Sequence, residues 1–226
     1  MKKELLNDII QWDVKSWSKA LEFWENNVDW NKVDTCLELG GRDGGLSLWL
    51  SLKGKNVICS DYIDVKLKAE KLHQKYNLNH KISYQDIVAT NIPYENHFDL
   101  IVFKSIIGVV GRNNNIELQK KAFEEIRKAL KPGGKLLFAE NLVASPLHQK
   151  LRKKHQWSSY WRYVTIEEME LFLKHFSKKE IKTNGFLGVL GRNESQRNFL
   201  SSIDNIVLNT LLPDKWKYIV YGIAEK

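Results

Sequence analysis

The feature that most constrains the fold of this chain is a repeated alternation of short β-type runs with helical patterns. Five such runs, each followed by a turn, lie between residues 33 and 141: VDTCLEL, GKNVICSD, KISYQD, FDLIVFKS and GGKLLFAEN. Between them the apolar spacing predicts helices over 45–53, 64–76 and 116–130, and the Pro and Gly of LKPGG end the last one. This alternation predicts a parallel sheet with helices on both faces.

The segments that flank this alternation add helices and two more strands. Residues 4–26 carry apolar side chains at helical spacing with an interruption near 15–18, which predicts a leading helix or helix pair. Thr165 and Glu168 form the capping-box pattern that opens a helix over TIEEMELFLKHF. KKEIKTN and KYIVYGIAEK then predict two closing strands, with a glycine-punctuated, partly helical insert between them.

The composition excludes several classes of protein. At 43% hydrophobic and 27% charged residues the chain is near the average for globular domains, so neither disorder nor a fibrous structure is expected. Lys104 interrupts the longest apolar run, LIVFKSIIGVV, which falls short of the roughly 18 residues of a membrane helix. The charged start MKKELLNDII also lacks an apolar leader region. We therefore expect one cytoplasmic domain without membrane insertion, with Cys36 and Cys59 as core residues.

The net charge of +8 raises the question of a nucleic-acid partner, because clustered Lys and Arg attract phosphates. The densest basic cluster is HQKLRKKHQW, residues 148–157, and the aromatic segment HQWSSYWRYVT, residues 155–165, overlaps it. Basic residues next to aromatic rings suit single-stranded RNA. The solvated face of an exposed helix has the same composition, so both interpretations stay open.

The first strand runs into the glycine-rich turn GGRDGG and then into a helix. Such a turn directs backbone N–H groups and the positive end of the helix dipole toward a nucleotide-like ligand. The dinucleotide motif G-x-G-x-x-G fails here, because Arg42 and Asp43 occupy the position of its second glycine when it is counted from Gly40 or from Gly41. A nicotinamide or flavin cofactor is therefore disfavoured.

Acidic residues stand at three successive strand ends. Glu38 lies two residues before Gly40, where a carboxylate suits a ligand with an amine and a positive centre, as in S-adenosylmethionine. Asp61 lies 21 residues beyond Gly40, close to the spacing at which a second-strand acid binds ribose hydroxyls. Asp86 and Ile87 follow the third strand, where they suit an adenine amino group and ring. Taken singly, Glu38 is equally a helix cap or an ion-pair partner, and the two aspartates are ordinary loop acids.

These residues resemble the motifs of the class I S-adenosylmethionine-dependent methyltransferases, of the small-molecule type. Glu38, Gly40 and Gly44 match the motif E/D-x-G-x-G-x-G, except that Arg42 replaces the middle glycine. HFDLIVFKSIIG and LKPGGKLLFAEN resemble the family's fourth-strand and fifth-strand motifs. The resemblance implies S-adenosylmethionine as the cofactor. It implies these cofactor-binding residues: Glu38, Gly40, Gly44, Asp61, Tyr62, Asp86, Ile87 and Lys104.

The same resemblance implies a Rossmann-like, doubly wound α/β fold. The sheet would have seven strands, mostly parallel with an antiparallel last strand, helices on both faces and an N-terminal helical extension. We expect one methyltransferase domain over residues 1–226. Within it, 1–30 would form a helical cap, 31–141 the cofactor-binding half, and 142–226 an acceptor-side lid and the closing strands.

Methyl transfer from a sulfonium is an in-line displacement, so little catalytic machinery is required beyond positioning. If the acceptor needs a general base, His148, His155 and Glu140 are the candidates at or just beyond the carboxyl end of the fifth strand, although a histidine in a basic helix is equally a solvated residue. Lys104 and Ser105 provide no carboxylate set after the fourth strand, so no metal is predicted. NIPY precedes that strand and is interpreted as a turn, which disfavours a DNA amino-methylating enzyme.

Three Gly-Arg pairs place Arg42, Arg112 and Arg192 in turns that suit a carboxylate, a phosphate or an acidic sugar if they converge. Tyr160 and Trp161 are candidate acceptor-binding rings in the lid segment. Unrelated turns and plain core packing are the alternatives. The sequence thus predicts methyl transfer to an oxygen or nitrogen of a small, anionic or saccharide-like acceptor. The alternative is an RNA-binding protein or RNA methyltransferase on the same fold.

Overall fold

A seven-stranded sheet organises the chain in the computed structural model, which describes residues 2–78, 80–153 and 160–226. The strand order is β3-β2-β1-β4-β5-β7-β6, and only β7 runs antiparallel to its neighbours. This confirms the predicted sheet. The strands are β1 (Thr35–Leu39), β2 (Asn56–Asp61), β3 (Ile82–Asp86), β4 (Phe98–Lys104), β5 (Leu130–Asn141), β6 (Lys178–Asn184) and β7 (Ile219–Glu225).

Helices cover both faces of the sheet, as the alternation predicts. One face packs against the first four helices, and the other packs against the fifth, sixth and eighth. The helices are α1 (Lys3–Ile10), α2 (Val14–Asn27), α3 (Gly45–Leu52), α4 (Val65–Lys75), α5 (Ile107–Val110), α6 (Ile116–Ala129), α7 (Pro146–Arg152), α8 (Ile166–Phe172) and α9 (Glu194–Ile203). A π-helical turn, Asp204–Leu208, continues α9 toward β7.

Helix α6 shows how the sequence determines an element. Its buried residues recur at helical spacing, Asn115 caps its N-terminus by accepting a hydrogen bond from the Leu118 N–H at 3.1 Å, and Pro132 prevents its continuation. The capping box that opens α8 at Thr165 and Glu168 is also present. Within the described ranges, no helix is both long and apolar enough to cross a membrane. Cys36 and Cys59 are buried, unpaired thiols, as expected.

The prediction was wrong about where the leading helices break. The interruption lies at residues 11–13 rather than 15–18, because Gln11 and Asp13 adopt left-handed backbone angles, with φ of 70° and 47°. Two long-range contacts hold this turn. The Asp13 carboxylate accepts a hydrogen bond from the buried Tyr218 hydroxyl at 2.5 Å. The backbone N–H of Asp13 donates to the Glu194 carboxylate at 2.9 Å.

The strand order places a topological switch point between β1 and β4. From β1 the chain proceeds outward to β2 and β3, and it then returns to β4 on the opposite side of β1. The loops that leave β1 and β4 therefore diverge and leave a crevice beyond the carboxyl ends of these strands. Ligands of open α/β sheets bind at such a point.

Candidate active site

A cleft of about 1470 Å³ opens over the carboxyl ends of β1, β2 and β4. Its walls come from the glycine turn, the α1–α2 turn, α7 and the insert before α9. A drug-sized ligand fills a pocket of about 300–1,000 Å³. The cleft therefore has room for a nucleoside-sized ligand and a second small molecule.

Two glycines of the turn adopt conformations that other residues tolerate poorly. Gly40 has φ of 64°, and a Cβ atom there would collide with the Ile106 side chain. Gly44 has φ of 75°, and a Cβ atom there would lie 2.5 Å from the ring of His73. The missing side chain at Gly40 therefore lets the turn pack against Ile106, whereas Gly44 lies behind the cleft wall and packs against α4.

His73 fixes the end of the glycine turn from below. Its Nε2 lies 2.9 Å from the Gly44 carbonyl oxygen and its Nδ1 lies 2.8 Å from the Tyr84 hydroxyl. Because a carbonyl oxygen only accepts, Nε2 carries the proton and Nδ1 accepts from Tyr84. Burial lowers the pKa of His73, which favours this neutral form.

Arg42 does not crowd the turn, although it replaces the middle glycine of the motif. Its backbone is left-handed, with φ of 49°, and its N–H donates to the Asp61 carboxylate at 2.8 Å. Its side chain is 80% exposed and reaches Asp43 at 3.7 Å across the cleft mouth. The loop therefore keeps its path while the guanidinium faces outward.

Glu38 supports the turn from beneath. Its buried carboxylate accepts hydrogen bonds from the N–H groups of Leu46 at 3.2 Å and Ser47 at 2.8 Å and from the Ser47 hydroxyl. It thereby caps α3 at the positive end of that helix. Burial raises the pKa of Glu38. Both oxygens of the Glu38 carboxylate accept hydrogen bonds from α3, so this side chain mainly stabilises the fold. Glu38 is also one of the residues that line the cleft.

Asp61 stands at the end of β2 with its carboxylate at the cleft. One oxygen accepts the Arg42 N–H and the other accepts the Tyr62 N–H at 2.6 Å. Each carboxylate oxygen has a further lone pair, so the group can still accept two hydroxyl hydrogen bonds. Tyr62 is 70% exposed beside it, and the buried Ile87 lies on the adjoining wall.

The lining of the cleft includes the three predicted arginines. Arg42, Arg112 and Arg192 come from three loops and all line the same cleft. The Arg112 Nε donates to the Val109 carbonyl oxygen at 3.2 Å, and the Arg192 N–H donates to Gln196. In the described part of the chain neither of these two guanidinium groups has an ion-pair partner within 4 Å. Trp161 joins this wall, whereas Tyr160 is 61% exposed and lies outside it.

The residues that sequence reasoning missed are those that face inward from basic or polar segments. Arg152 belongs to the basic cluster of residues 148–157, for which a solvated face and an RNA contact were both open. It donates to the carbonyl oxygens of Leu142 and Val143, and its guanidinium lies 3.8 Å from the centre of the Tyr163 ring. Arg197 projects from α9 over the ring of Trp12 at 5.0 Å. The side chains that line the cleft here are those of Trp12, Arg152, Tyr163 and Arg197. The helical spacing of α7 offered a signal for Arg152, because it places Arg152 one turn beyond the buried His148.

Comparisons with known proteins bear on this geometry. Residues 37–138 match the family model described as a methyltransferase domain. The chain is 30% identical over 172 residues to the ubiquinone/menaquinone biosynthesis C-methyltransferase UbiE of Shewanella frigidimarina, which covers 70% of this chain and 61% of that protein. The chain thus spans about three fifths of the length of the curated relatives that it matches.

Solved structures share the fold. Phosphoethanolamine N-methyltransferase 2 of Haemonchus contortus, in complex with S-adenosyl-L-methionine, superimposes with a TM-score of 0.64 at 18% identity, over 93% of this chain and 52% of that one. A SAM-dependent methyltransferase of Thermotoga maritima gives 0.63 at 16% identity, over 99% and 97%. The family model identifies residues 37–138 as a methyltransferase domain, and the chain shares the fold of S-adenosylmethionine-dependent methyltransferases.

The described residues fit the cofactor of this methyltransferase family. Gly40 lines the cleft with its backbone alone, Asp61 presents free lone pairs, and Ile87 provides an apolar surface. Of the predicted cofactor-binding residues, Gly44 does not line the cleft, and neither does Asp86. Its two oxygens accept the N–H groups of Asp64 and Val65, each at 3.0 Å, so it caps α4 and does not line the cleft.

Neither predicted base that the structure describes is placed to take a proton from a ligand in the cleft. His148 lines the cleft, but its Nε2 donates to the Phe186 carbonyl oxygen at 2.8 Å and its Nδ1 accepts from Ser145 at 2.7 Å. Glu140 is fully buried outside the cleft and accepts the N–H groups of Ile107 and Asn141. Burial lowers the pKa of His148 and raises that of Glu140 to about 7. Both side chains hold loops together. His155 and Trp157 lie outside the described residues.

Proposed function

We propose that this chain transfers a methyl group from S-adenosylmethionine to a small acceptor that carries anionic groups. The presence of Arg42, Arg112 and Arg192 in the lining of one cleft supports this proposal. Guanidinium groups bind carboxylate and phosphate oxygens in pairs. An acceptor with such groups would be drawn to the mouth and oriented there, while its reacting atom faces the inner cleft.

The cofactor supplies an electrophilic methyl group, so the protein's task is to align the acceptor and to exclude water. In the proposed arrangement Asp61 accepts the ribose hydroxyls and Ile87 packs against the adenine. Trp161 and Tyr163, whose ring centres lie 6.3 Å apart, form an apolar wall for the acceptor. With His148 and Glu140 both engaged, the acceptor atom would react without a protein base.

The acceptor atom that we propose is an oxygen or a nitrogen, as the sequence predicts. The curated relatives carry names of C-methyltransferases, which makes carbon the competing candidate. Turnover with cofactor labelled by carbon-13 in the methyl group distinguishes the three, because O-methyl, N-methyl and C-methyl carbons resonate in separate regions of the spectrum. A product with a new C-methyl signal would contradict our proposal for the acceptor atom.

The cofactor is tested first, by calorimetric titration of the full chain with S-adenosylmethionine, S-adenosylhomocysteine and NAD. We expect micromolar binding of the first two and no heat from NAD. Failure of both to bind would overturn the proposed function, whatever the acceptor.

The acceptor class is tested by charge reversal at the cleft mouth. Arg112→Glu and Arg192→Glu should lower turnover of anionic acceptors from a metabolite screen by about tenfold or more each, as expected for a lost charge-assisted contact. Lys121→Glu, an exposed residue on the outer side of α6, is the matched control for net charge. Unchanged turnover in both cleft variants would contradict an anionic acceptor.

The RNA alternative remains a prediction, because residues 154–159 of the basic segment lie outside the described residues. Within α7, His148 and Arg152 face inward rather than toward a partner. Retention of the protein on immobilised RNA at physiological salt would favour the alternative. Elution at low salt would favour the small-molecule acceptor.

A further inference from the structure

The helical segment between β6 and β7 turns a polar face toward the protein. It consists of α9, the π-helical turn that follows it and one last turn, Asn209–Leu211. On the inner face the Ser201 hydroxyl lies 2.7 Å from that of Ser16 on α2. The buried Asp204 carboxylate accepts the N–H groups of residues 186–188 at 2.9 to 3.0 Å. A helix on the surface of a globular protein usually has the opposite polarity, with its apolar face inward.

The outward face of the same segment is apolar. Four of its side chains are between 42% and 77% exposed, and we call them the outer stripe: Phe199, Ile206, Val207 and Leu211. Their separations of seven or eight and of four residues place them along one side of the helix. Asp204 is the only charged residue in 198–213, and it faces inward. Single exposed apolar residues are common, but a charge-free stripe of them indicates an interaction surface.

Two lysines lie at the edges of the outer stripe. The Lys15 Nζ donates to the Ser202 hydroxyl of α9 at 2.6 Å, so its ammonium lies beside the stripe. Lys215 is exposed at the other end, just before the partly exposed Trp216. Neither lysine has an acidic partner within 4 Å in the ranges that the structure describes. The stripe therefore combines an apolar surface with unneutralised positive charge.

The acidic groups of this region do not offset that charge. Glu194 accepts the N–H groups at the start of α2, and Asp204 is buried. Asp214 pairs with Lys217 at 2.8 Å and also accepts from the Thr183 hydroxyl. Anionic groups of a partner would thus meet cations at the edges of the stripe.

We propose that the outer stripe docks this protein on an anionic lipid surface. The apolar side chains would enter the boundary between headgroups and acyl chains, the lysines would meet lipid phosphates, and the segment would lie in the plane of the interface. The net charge of +8 adds to this attraction, whereas it opposes the approach of a second copy of the chain. This inference goes beyond the proposed function and does not depend on it.

Docking of this kind would also orient the cleft. Arg192 and Arg197 belong to the turn before α9 and to its first turns, and both line the cleft. One wall of the cleft would therefore face the lipid headgroups.

Co-sedimentation of the full chain with vesicles tests the proposal. We expect binding to equal parts of phosphatidylcholine and phosphatidylglycerol, and little binding to phosphatidylcholine alone. The double variant Phe199→Ser/Ile206→Ser keeps the net charge and should bind the mixed vesicles about tenfold or more weakly. Leu67→Ser removes an exposed apolar side chain of α4 and is the matched control. Because all three side chains are exposed, the variants should keep the melting temperature of the wild type.

The role of the flanking charge is tested separately. Lys215→Gln should weaken binding to the mixed vesicles about fivefold, because a lysine close to an anionic surface contributes about that factor. Lys121→Gln, on the outer side of α6, carries the same change in net charge and should weaken it by less than about twofold. Equal effects of the two variants would indicate attraction by net charge alone and would contradict the proposed surface.

A fluorescent label reports the contact directly. Cys36 and Cys59 are buried, so Ile206→Cys provides an accessible thiol for an environment-sensitive dye. Its emission should shift to the blue on mixed vesicles, whereas the same dye on Leu67→Cys should not respond. Wild-type protein that stays in solution, or a dye at residue 206 that does not respond, would overturn the inference. A lipid-free dimer in sedimentation velocity that the double variant dissociates would assign the stripe to a second copy and would equally overturn it.

Discussion

At the scale of the residue, Asp61 connects the cofactor site to the glycine turn. The same carboxylate that would bind the ribose also accepts the N–H groups of Arg42 and Tyr62. We expect Asp61→Ala to weaken S-adenosylhomocysteine about 10- to 100-fold, measured by calorimetry, because a charge-assisted contact and the shape of the turn are both lost. Glu124→Ala, an exposed acid on α6, is the control. Unchanged affinity in Asp61→Ala would contradict the assignment of this residue.

Asp13 should give the protein a measurable pH dependence of stability. Burial raises the pKa of this carboxyl to about 6, above its value in an unfolded chain. The folded state therefore holds the proton more tightly, and the stabilisation present at low pH is lost as the pH rises through 6. Between pH 4.5 and 7.5 the unfolding free energy of the wild type, relative to Asp13→Asn, should fall by about 2 kcal/mol. Urea denaturation at the two pH values checks this, and a constant difference would contradict it.

What the sequence could reveal of the site depended on whether the chemistry of a residue was local. Gly40 and Asp61 were predicted because their roles follow from a strand end and the turn beyond it. The capping of α4 by Asp86, and the full engagement of both nitrogens of His148, depend on partners that only the folded chain brings near. A sequence motif identifies the residue at a position. It does not show which hydrogen-bonding groups of that residue are already paired within the folded protein.

At the scale of the element, Glu194 connects α9 to the N-terminus of α2. Its carboxylate caps α2 by accepting the N–H groups of Asp13 at 2.9 Å and Val14 at 3.2 Å, and it also pairs with Arg197 of its own helix. We expect Glu194→Ala to lower the unfolding free energy by about 1–2 kcal/mol in urea titrations, as the loss of a charged cap does.

A matched variant on α2 separates this cap from general surface charge. Glu22→Ala removes an exposed partner of Lys19 at 2.9 Å, and such pairs contribute about 0–1 kcal/mol. Hydrogen exchange near residues 13–17 should accelerate in Glu194→Ala and stay unchanged in Glu22→Ala. Equal effects of the two variants would indicate that Glu194 acts only as a surface charge.

Regular elements were predictable because apolar residues recur every two residues in a strand and every 3.6 residues in a helix. The strand over 178–184 and the helix opened by Thr165 follow these patterns closely. The break between α1 and α2 was misplaced, because the left-handed Asp13 is stabilised by Tyr218 and Glu194, about two hundred residues away in sequence. No local pattern carries that information.

At the scale of the whole molecule, binding of the cofactor product should stabilise the fold by mass action. S-adenosylhomocysteine at 100 times its dissociation constant contributes about 2.7 kcal/mol. For a chain of this size that raises the melting temperature by about 5–10 °C in differential scanning fluorimetry. NAD at the same concentration should leave the melting temperature unchanged, and an equal shift with NAD would contradict the cofactor assignment.

The contact between Glu194 and the N-terminus of α2 also affects how the protein is made. A ribosome that has released the chain only as far as β5 has already synthesised the glycine turn, Asp61 and Lys104, yet the wall that α9 completes does not exist. A nascent chain at that stage exposes the lining of the cleft to solvent and to chaperones. A ligand can be enclosed only after α9 has been synthesised and has packed against α2, so ligand capture marks a chain that has grown at least as far as Ile203.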